Sequence, residues 1–408
     1  MAFLPDSAAR PPDEDSGSSP AAHKNPVVPG PLGWVARYRL MSVRVIVLGA
    51  GIIGATIAEA LTLRGAEVAV LDMRGPGRGA SQASAGMLAP FIEADGNSPL
   101  LGLCTRSLAL YDSFIARLLE VSRGGIEYAR TGTLEVALDD DGVARLLGNK
   151  VWLDTAGVES EWLDGNAVRV FEPSLTPSTH GGLLTLDHGL VGVESLLNAL
   201  VHQAKLGGAT FEFPVEVLSI EQIGEEVEVR SADRFWTADA VVLASGAWSR
   251  RPKIAGVTPL PMRPVRGQLL HLQWCEGDQP TRILWGPHCY TVPWADGSVL
   301  VGATAEEVGF DEGTTVAGVN ALTSAVIELL PHASGARIES VRVGLRPALP
   351  DEIPAIGPFA AAPRVVAATG HYRNGVLLAP VTAEMVVHYL LDGSTDLAFA
   401  ITKPDRFG

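Results

Sequence analysis

The chain has little cysteine, no long apolar run and no excess of positive charge, and each absence excludes a class of protein. Its three cysteines, Cys104, Cys275 and Cys289, form no CxxC pair, which argues against a disulfide scaffold or a zinc site and favours reduced thiols in the cytoplasm. No 18 consecutive residues are apolar, so no membrane-spanning helix is expected. The chain has 31 Lys and Arg against 46 Asp and Glu, and this acidic balance argues against nucleic-acid binding, which requires a clustered basic face.

The composition that remains is that of a folded protein with a short atypical tail. Of 408 residues, 47% are hydrophobic and 19% are charged, which supports a sizeable core and leaves room for two domains. Residues 1–40 are rich in Pro, Ser and acidic residues without apolar periodicity. We expect them to form a disordered tail or to precede a true start at Met41, and their composition fits neither a secretory signal nor a transit peptide.

A glycine motif follows the first predicted strand. The β-branched run Val43–Gly49 is typical of a strand buried on both faces of a parallel sheet. Gly49, Gly51 and Gly54 then have the GxGxxG spacing, in which glycines allow a tight turn, close approach to a pyrophosphate and helix packing. A second strand ends at Asp72, where an acid would bind a ribose hydroxyl. This βαβ unit predicts dinucleotide binding.

The rest of the chain predicts an interleaved α/β architecture. Strand–helix–strand signals recur near both ends of the chain, and short strands such as Val215–Ile220 and Glu226–Arg230 lie between them. The strands over 264–304 alternate as in an antiparallel sheet with one ligand-facing side. We therefore predict a Rossmann-like nucleotide-binding domain with an inserted antiparallel-sheet domain that would bind the substrate. The nucleotide-binding domain would comprise 41–90, 185–262 and 340–408, and the inserted domain 91–184 and 263–339.

Three small-residue turns indicate which dinucleotide binds. They are Arg78–Leu88 after the βαβ unit, Leu243–Trp248 and Ala367–Gly375. Packing of glycines explains any one of them, but small side chains at all three places allow a large flat ligand to approach the backbone. Together they favour FAD in an extended conformation.

Several ungapped strings then carry a resemblance to a known family. They are GAGIIG, ASAGML, ASGAWS, HCYTVP, VGAT, GLRP and, most specifically, ATGHYRNGVLLAP. From Val43 to the last helix the chain resembles the D-amino acid oxidase family of flavoproteins, and within it the glycine oxidases associated with thiamine biosynthesis. The family fold agrees with the Rossmann-like prediction.

The resemblance implies the residues that contact FAD. Val217 would contact the adenine end through its backbone, and the segment from His371 would pass the isoalloxazine ring. The remaining positions are Ile52, Ile53, Asp72, Met73, Ala80, Ser81, Ala85, Gly86 and Met87 along the cofactor, with Tyr372, Arg373, Asn374, Gly375, Val376 and Leu377 after His371. GLRPALPD contains no cysteine where the related sarcosine oxidases attach their flavin, so we expect noncovalent FAD.

The resemblance also implies a substrate site. Arg346 and Arg373 would face the substrate, with Tyr290 and His288 nearby. A planar guanidinium binds a carboxylate through two parallel hydrogen bonds. Each of these residues also has an interpretation without a role in binding. Arg346 would then be a surface arginine, Tyr290 an ordinary strand aromatic and His288 a loop histidine. Met87 and Ala305 would complete the pocket, Ala305 standing where related glycine oxidases tend to carry methionine.

These expectations define a function. We expect oxidation of glycine, and of small amines such as sarcosine and D-alanine, with O₂ reduced to hydrogen peroxide and the imine available for thiazole assembly. An enzymatic alternative is a dehydrogenase with another electron acceptor, and a non-enzymatic one is a flavin-binding regulatory protein. A cytoplasmic homo-oligomer without nucleic-acid or membrane partners is expected.

Overall fold

The structure is a computed structural model that describes residues 28–29, 42–92, 98–122 and 125–408. The predicted disordered tail lies outside the described residues apart from β1 (Val28–Pro29), which pairs with Ser394–Thr395. The helices of the described part are α1 (Ile52–Leu63), α2 (Leu101–Leu119), α3 (Asp140–Thr155), α4 (Gly165–Phe171), α5 (Val193–Leu206), α6 (Val316–Leu329), α7 (Gly375–Val387) and α8 (Phe399–Thr402).

A six-stranded sheet carries the predicted βαβ unit. In spatial order its strands are β10 (Thr210–Glu212), β3 (Glu67–Leu71), β2 (Arg44–Leu48), β14 (Ala240–Leu243), β22 (Ala362–Thr369) and β21 (Ala355–Phe359). Neighbouring strands within this sheet are parallel, except for the last pair, β22 with β21, which is antiparallel. The strands read as continuous apolar runs because both faces of the sheet are covered.

Helices cover one face of this sheet and a small sheet covers the other. Helix α1 packs against α5 and α7, and α7 packs against α2. By length and composition the segment Gly375–Asp392 would be able to cross a membrane, but 72% of it is buried inside the protein. The opposite face meets a four-stranded sheet of β13 (Phe235–Ala238), β12 (Glu226–Arg230), β11 (Ser219–Ile223) and β15 (Lys253–Ile254).

The second large sheet of the structure has eight strands. Its pairs are antiparallel, as expected, except for β17 with β6; these strands come from distant chain segments, so no short hairpin constrains their direction. The predicted boundary at residue 340 falls inside β20, which belongs to this sheet. The order is β20 (Arg337–Ala348), β16 (Arg263–Gln273), β19 (Ser298–Gly302), β18 (Tyr290–Pro293), β17 (Ile283–Trp285), β6 (Thr133–Ala137), β8 (Gly181–Thr185) and β7 (Ser160–Asp164).

One predicted strand is displaced. Val215–Ile220 was expected to be extended throughout, but the strand starts at Ser219. The N–H of Val215 instead donates to the carbonyl of Asp72, and both Val215 and Val217 line a cavity. The first half of this segment therefore forms a cavity wall and the second half a strand.

Candidate cofactor and substrate site

A cavity of about 270 Å³ is lined by the β2–α1 turn, β20 and the start of α7. It brings together residues from the motifs that the sequence singled out, except VGAT, which contributes none. The predicted positions that line it are Gly49, Gly51, Ile52, Ile53, Asp72, Met73, Ala80, Ser81, Ala85, Gly86, Met87, Val217, Tyr290, Arg346, His371, Tyr372, Arg373, Asn374, Gly375, Val376 and Leu377.

Three predicted positions lie outside the lining. Gly54 packs behind it, because a Cβ atom there would overlap the carbonyl oxygen of Gly49. His288 lies in an exposed turn before β18, and Ala305 is exposed beyond β19. In this structure neither His288 nor Ala305 therefore forms a wall of the cavity, and the size of residue 305 does not set its volume.

Backbone geometry shapes the first end of the cavity. Gly49 has φ of +107°, a conformation that residues with a Cβ rarely adopt, and a Cβ there would overlap the carbonyl of Ala244 on the next strand. Helix α1 then begins at Ile52, and its N-cap residue, Gly51, has no side chain that would cap the helix. The turn is tight, and the first N–H groups of α1 start at the cavity wall.

Asp72 and Ser81 tie the surrounding loops to that turn. The carboxylate of Asp72 accepts hydrogen bonds from the N–H groups of Ala50 at 2.8 Å and of Arg74 and Gly75 at 2.7 Å. The hydroxyl of Ser81 accepts from the N–H of Ile52 at 3.0 Å. The acid expected to bind a ribose therefore also fixes the turn in which a pyrophosphate would lie.

The second helix that starts at the cavity is α7. Its first residue, Gly375, follows Asn374, whose side chain makes no capping hydrogen bond. Two helix N-termini, those of α1 and α7, lack a cap from the side chain of their own N-cap residue and place positive dipole ends at one cavity. Such an arrangement suits FAD, whose pyrophosphate and electron-rich flavin edge would each be favoured by a helix N-terminus.

Arg346 defines the opposite end of the cavity. Its Nη1 donates to the carbonyl oxygen of Thr304 at 2.8 Å. The guanidinium lies flat over Gly267 of β16, where a Cβ atom would come within 2.5 Å of Cζ and both Nη atoms. Arg346 is therefore oriented by the neighbouring strand, which is not the behaviour of a free surface arginine.

Tyr290 is placed by a second glycine. It pairs in register with Gly302 of β19, and a Cβ atom at Gly302 would overlap the ring and hydroxyl of Tyr290. Trp285 stacks on Tyr290 with ring centroids 5.3 Å apart and an angle of 19° between the rings. Trp285 also lines the cavity. Sequence reasoning missed Gly267, Gly302 and Trp285, although a glycine inside a strand signals the close approach of another group.

His371 and Arg373 lie where α7 begins. Nε2 of His371 is 3.0 Å from the hydroxyl of Thr382, and burial lowers the pKa of His371 to about 3. Its imidazole is therefore neutral at physiological pH. The guanidinium of Arg373 lies 5.0 Å from the ring centroid of Tyr372 and 4.0 Å from the carboxylate of Glu352. Arg373 reaches the cavity from a half-exposed position, whereas His371 is enclosed.

Comparison with known proteins agrees with this geometry. Residues 44–389 match the family described as FAD dependent oxidoreductase. A glycine oxidase of Bacillus licheniformis is 33% identical over 85% of this chain and 92% of its own length. A "Bifunctional protein ThiO/ThiG" of Synechocystis sp. is 34% identical over 89% of this chain but 54% of its own, so the chain spans about half the length of that relative. The crystal structure of glycine oxidase from Geobacillus kaustophilus superposes with a TM-score of 0.84 at 28% identity, covering 90% of this chain and 99% of that one.

Proposed function

The chain belongs to the FAD dependent oxidoreductase family, its cofactor is FAD, and we propose that it oxidises glycine and other small amino acids with O₂ as the electron acceptor. One observation carries this proposal. In the wall of the cavity that the glycine turn also lines, the guanidinium of Arg346 is held flat against Gly267 and hydrogen-bonded to Thr304. A fixed, planar cation is suited to bind a carboxylate through two parallel hydrogen bonds.

The side chains at this end act by binding and orientation. Arg346 binds the substrate carboxylate, and the hydroxyl of Tyr290 donates a further hydrogen bond to it. This places the substrate amine and Cα towards the start of α7, where bound FAD supplies the acceptor for the hydride. His371 is neutral, enclosed and in contact with Thr382, so we assign it no proton transfer. Orientation of two reactants in one cavity lowers the barrier without a dedicated base.

The same end of the cavity favours a small substrate. Trp285 stacks on Tyr290, and Met87 and Ile92 line the same cavity. We propose that these large side chains limit the space for a substituent on Cα. We therefore propose glycine as the preferred substrate, with sarcosine and D-alanine as weaker ones, and the resulting imine as a precursor for thiazole assembly.

The flavin is proposed to bind without a covalent link. Cys104, Cys275 and Cys289 all lie outside the cavity lining. We further propose that the protein works as a cytoplasmic homo-oligomer, as the resemblance to glycine oxidases implies.

An anaerobic titration tests the proposal. The purified yellow protein is mixed with glycine without O₂, and the flavin absorbance near 450 nm (a property of the flavin chromophore) is followed. We expect bleaching by glycine and full recovery on admission of air, with hydrogen peroxide formed. A flavin that stays oxidised with glycine, sarcosine and D-alanine contradicts the proposed substrates. Bleaching that air does not reverse identifies a dehydrogenase with another acceptor.

A further inference from the structure

We propose that Glu306 is a positioning residue for the substrate anchor: through Thr304 it fixes the carbonyl oxygen that orients the guanidinium of Arg346. The inference rests on the proposed role of Arg346 in binding the substrate carboxylate. Glu306 lies outside the cavity lining, and it acts at a distance through a chain of hydrogen bonds.

The first link joins Arg346 to Thr304. Nη1 of Arg346 donates to the carbonyl oxygen of Thr304 at 2.8 Å, while the face of the guanidinium rests on Gly267. Gly267 sets the plane of the group, but a flat glycine surface does not set its rotation within that plane. The carbonyl of Thr304 sets this rotation, because a hydrogen bond from one Nη atom selects one orientation of the planar guanidinium.

The second link fixes Thr304 itself. The hydroxyl of Thr304 donates to Glu306 at 2.6 Å and accepts from the N–H of Gln268 at 2.9 Å. The N–H of Thr304 donates to the carbonyl of Gln268 at 3.2 Å. Thr304 is therefore held by both its backbone and its side chain. Because its hydroxyl donates a hydrogen bond to Glu306, the lone pairs of the hydroxyl oxygen face the N–H of Gln268.

Glu306 is held by charge. Its carboxylate accepts from Nη2 of Arg266 at 2.6 Å and from the side-chain amide of Gln268 at 2.7 Å. The backbones of Arg266 and Glu306 also exchange two hydrogen bonds, at 2.8 and 2.9 Å. The hydrogen bond from Arg266 lowers the pKa of Glu306 to about 2, so the group is a carboxylate throughout the working pH range. Three donors thus converge on one anion beside β16.

Strand β16 therefore affects the guanidinium of Arg346 in two ways, by direct contact and through Glu306. Gly267 contacts the guanidinium directly, and its two neighbours, Arg266 and Gln268, hold the residue that positions Thr304. Loss of the Glu306 charge weakens the hydrogen bonds that Glu306 accepts from Thr304, Gln268 and Arg266. The segment that carries the Thr304 carbonyl is then held less firmly. The guanidinium then samples more orientations, and a substrate carboxylate meets the correct one less often.

Two variants test the proposal in the holoenzyme. Glu306→Gln removes the charge, and Thr304→Val removes the hydroxyl while the Arg266–Glu306 ion pair remains. Glu306→Gln weakens the positioning hydrogen bond from the Thr304 hydroxyl and Thr304→Val removes it. We therefore expect the KM for glycine and the Kd for acetate, measured by the perturbation of flavin absorbance, to rise roughly threefold to tenfold. We expect kcat to change less than twofold. Glu307→Gln is the matched control, because Glu307 pairs with Arg263 at the surface.

A double-variant cycle separates positioning from general support. In the Arg346→Ala background, Glu306→Gln should not weaken acetate binding further, because the group that it orients is absent. An equal loss in both backgrounds, or unchanged acetate binding in both single variants, overturns the role of Glu306. If Arg346→Ala itself leaves acetate binding unchanged, the proposed carboxylate anchor fails first and the inference fails with it.

Discussion

The two ends of the cavity are built differently. The cofactor end consists of backbone and small residues from consecutive segments, such as Gly49 and Gly51 at the start of α1 and the short helical turn Ala80–Ala83. The substrate end consists of large side chains, Arg346 and Tyr290, that come from different strands of the eight-stranded sheet. In the proposed site, the cofactor would thus be bound by local structure, while the substrate would be bound by side chains whose positions depend on the register of four strands.

The largest expected effect tests the cofactor end. Gly54→Ala places a Cβ atom against the carbonyl oxygen of Gly49, and two backbone segments are unable to relax as a side chain does. Overpacking costs about 1–3 kcal/mol and more where backbone must move. We expect α1 to shift and the purified protein to contain little FAD, measured from the ratio of absorbance at 450 and 280 nm.

Gly148→Ala is the matched control for that variant. Gly148 also lies within a helix, but nothing approaches the position of its Cβ within 4 Å. Alanine there should raise the free energy of unfolding by about 0.5–1 kcal/mol and leave the FAD content unchanged. A Gly54→Ala protein with full FAD content would contradict the prediction that a Cβ atom at position 54 displaces α1 and weakens FAD binding.

The second effect tests the substrate end. Arg346→Ala removes a charged hydrogen-bonding partner of the substrate, which costs about 2–5 kcal/mol and lowers kcat/KM by roughly 30-fold to several thousand-fold. FAD content should remain that of the parent protein, because the cofactor end is untouched. Steady-state kinetics with glycine measures the loss, and unchanged kinetics would refute the anchor role.

The difference between the two ends explains what sequence predicted and what it did not. The strand before Gly49, the glycine spacing and Asp72 lie within one short segment, so local patterns predicted the βαβ unit, and the structure contains it. Gly267, Gly302 and Trp285 acquire their roles only when β16 pairs with β20 and β18 pairs with β17 and β19. No local pattern contains that register. For the same reason the sequence left open whether His288, close to Tyr290 in the chain, lies near the substrate or is a loop histidine; in the structure it is exposed.

The third effect concerns the pH dependence of folding stability, to which two buried histidines contribute, His371 at the cavity and His188 outside it. Burial lowers the pKa of both His371 and His188 to about 3 from a model-peptide value of 6.5. Below pH 6.5 the unfolded chain takes up a proton that the folded protein does not bind, so acidification stabilises the unfolded chain. Between pH 6.5 and 5 this costs about 2 kcal/mol of folding stability for each group.

His188→Gln tests this effect outside the cofactor region. The amide oxygen of glutamine replaces Nε2 as acceptor of the hydrogen bond from the N–H of Phe91. We expect the fall in unfolding free energy between pH 6.5 and 5, measured by urea denaturation, to shrink by about 2 kcal/mol. An unchanged slope in His188→Gln would show that His188 does not contribute to acid sensitivity.

The smallest effect tests whether the substrate end depends on a missing Cβ. Gly267→Ala places a methyl group 2.5 Å from the guanidinium of Arg346, but here the obstructed group is the end of a flexible side chain. The guanidinium can shift, so we expect normal folding and FAD content and a roughly tenfold higher KM, equivalent to about 1.4 kcal/mol of lost orientation. If instead the variant fails to bind FAD, β16 supports the cofactor as well, and the two ends of the cavity are not independent.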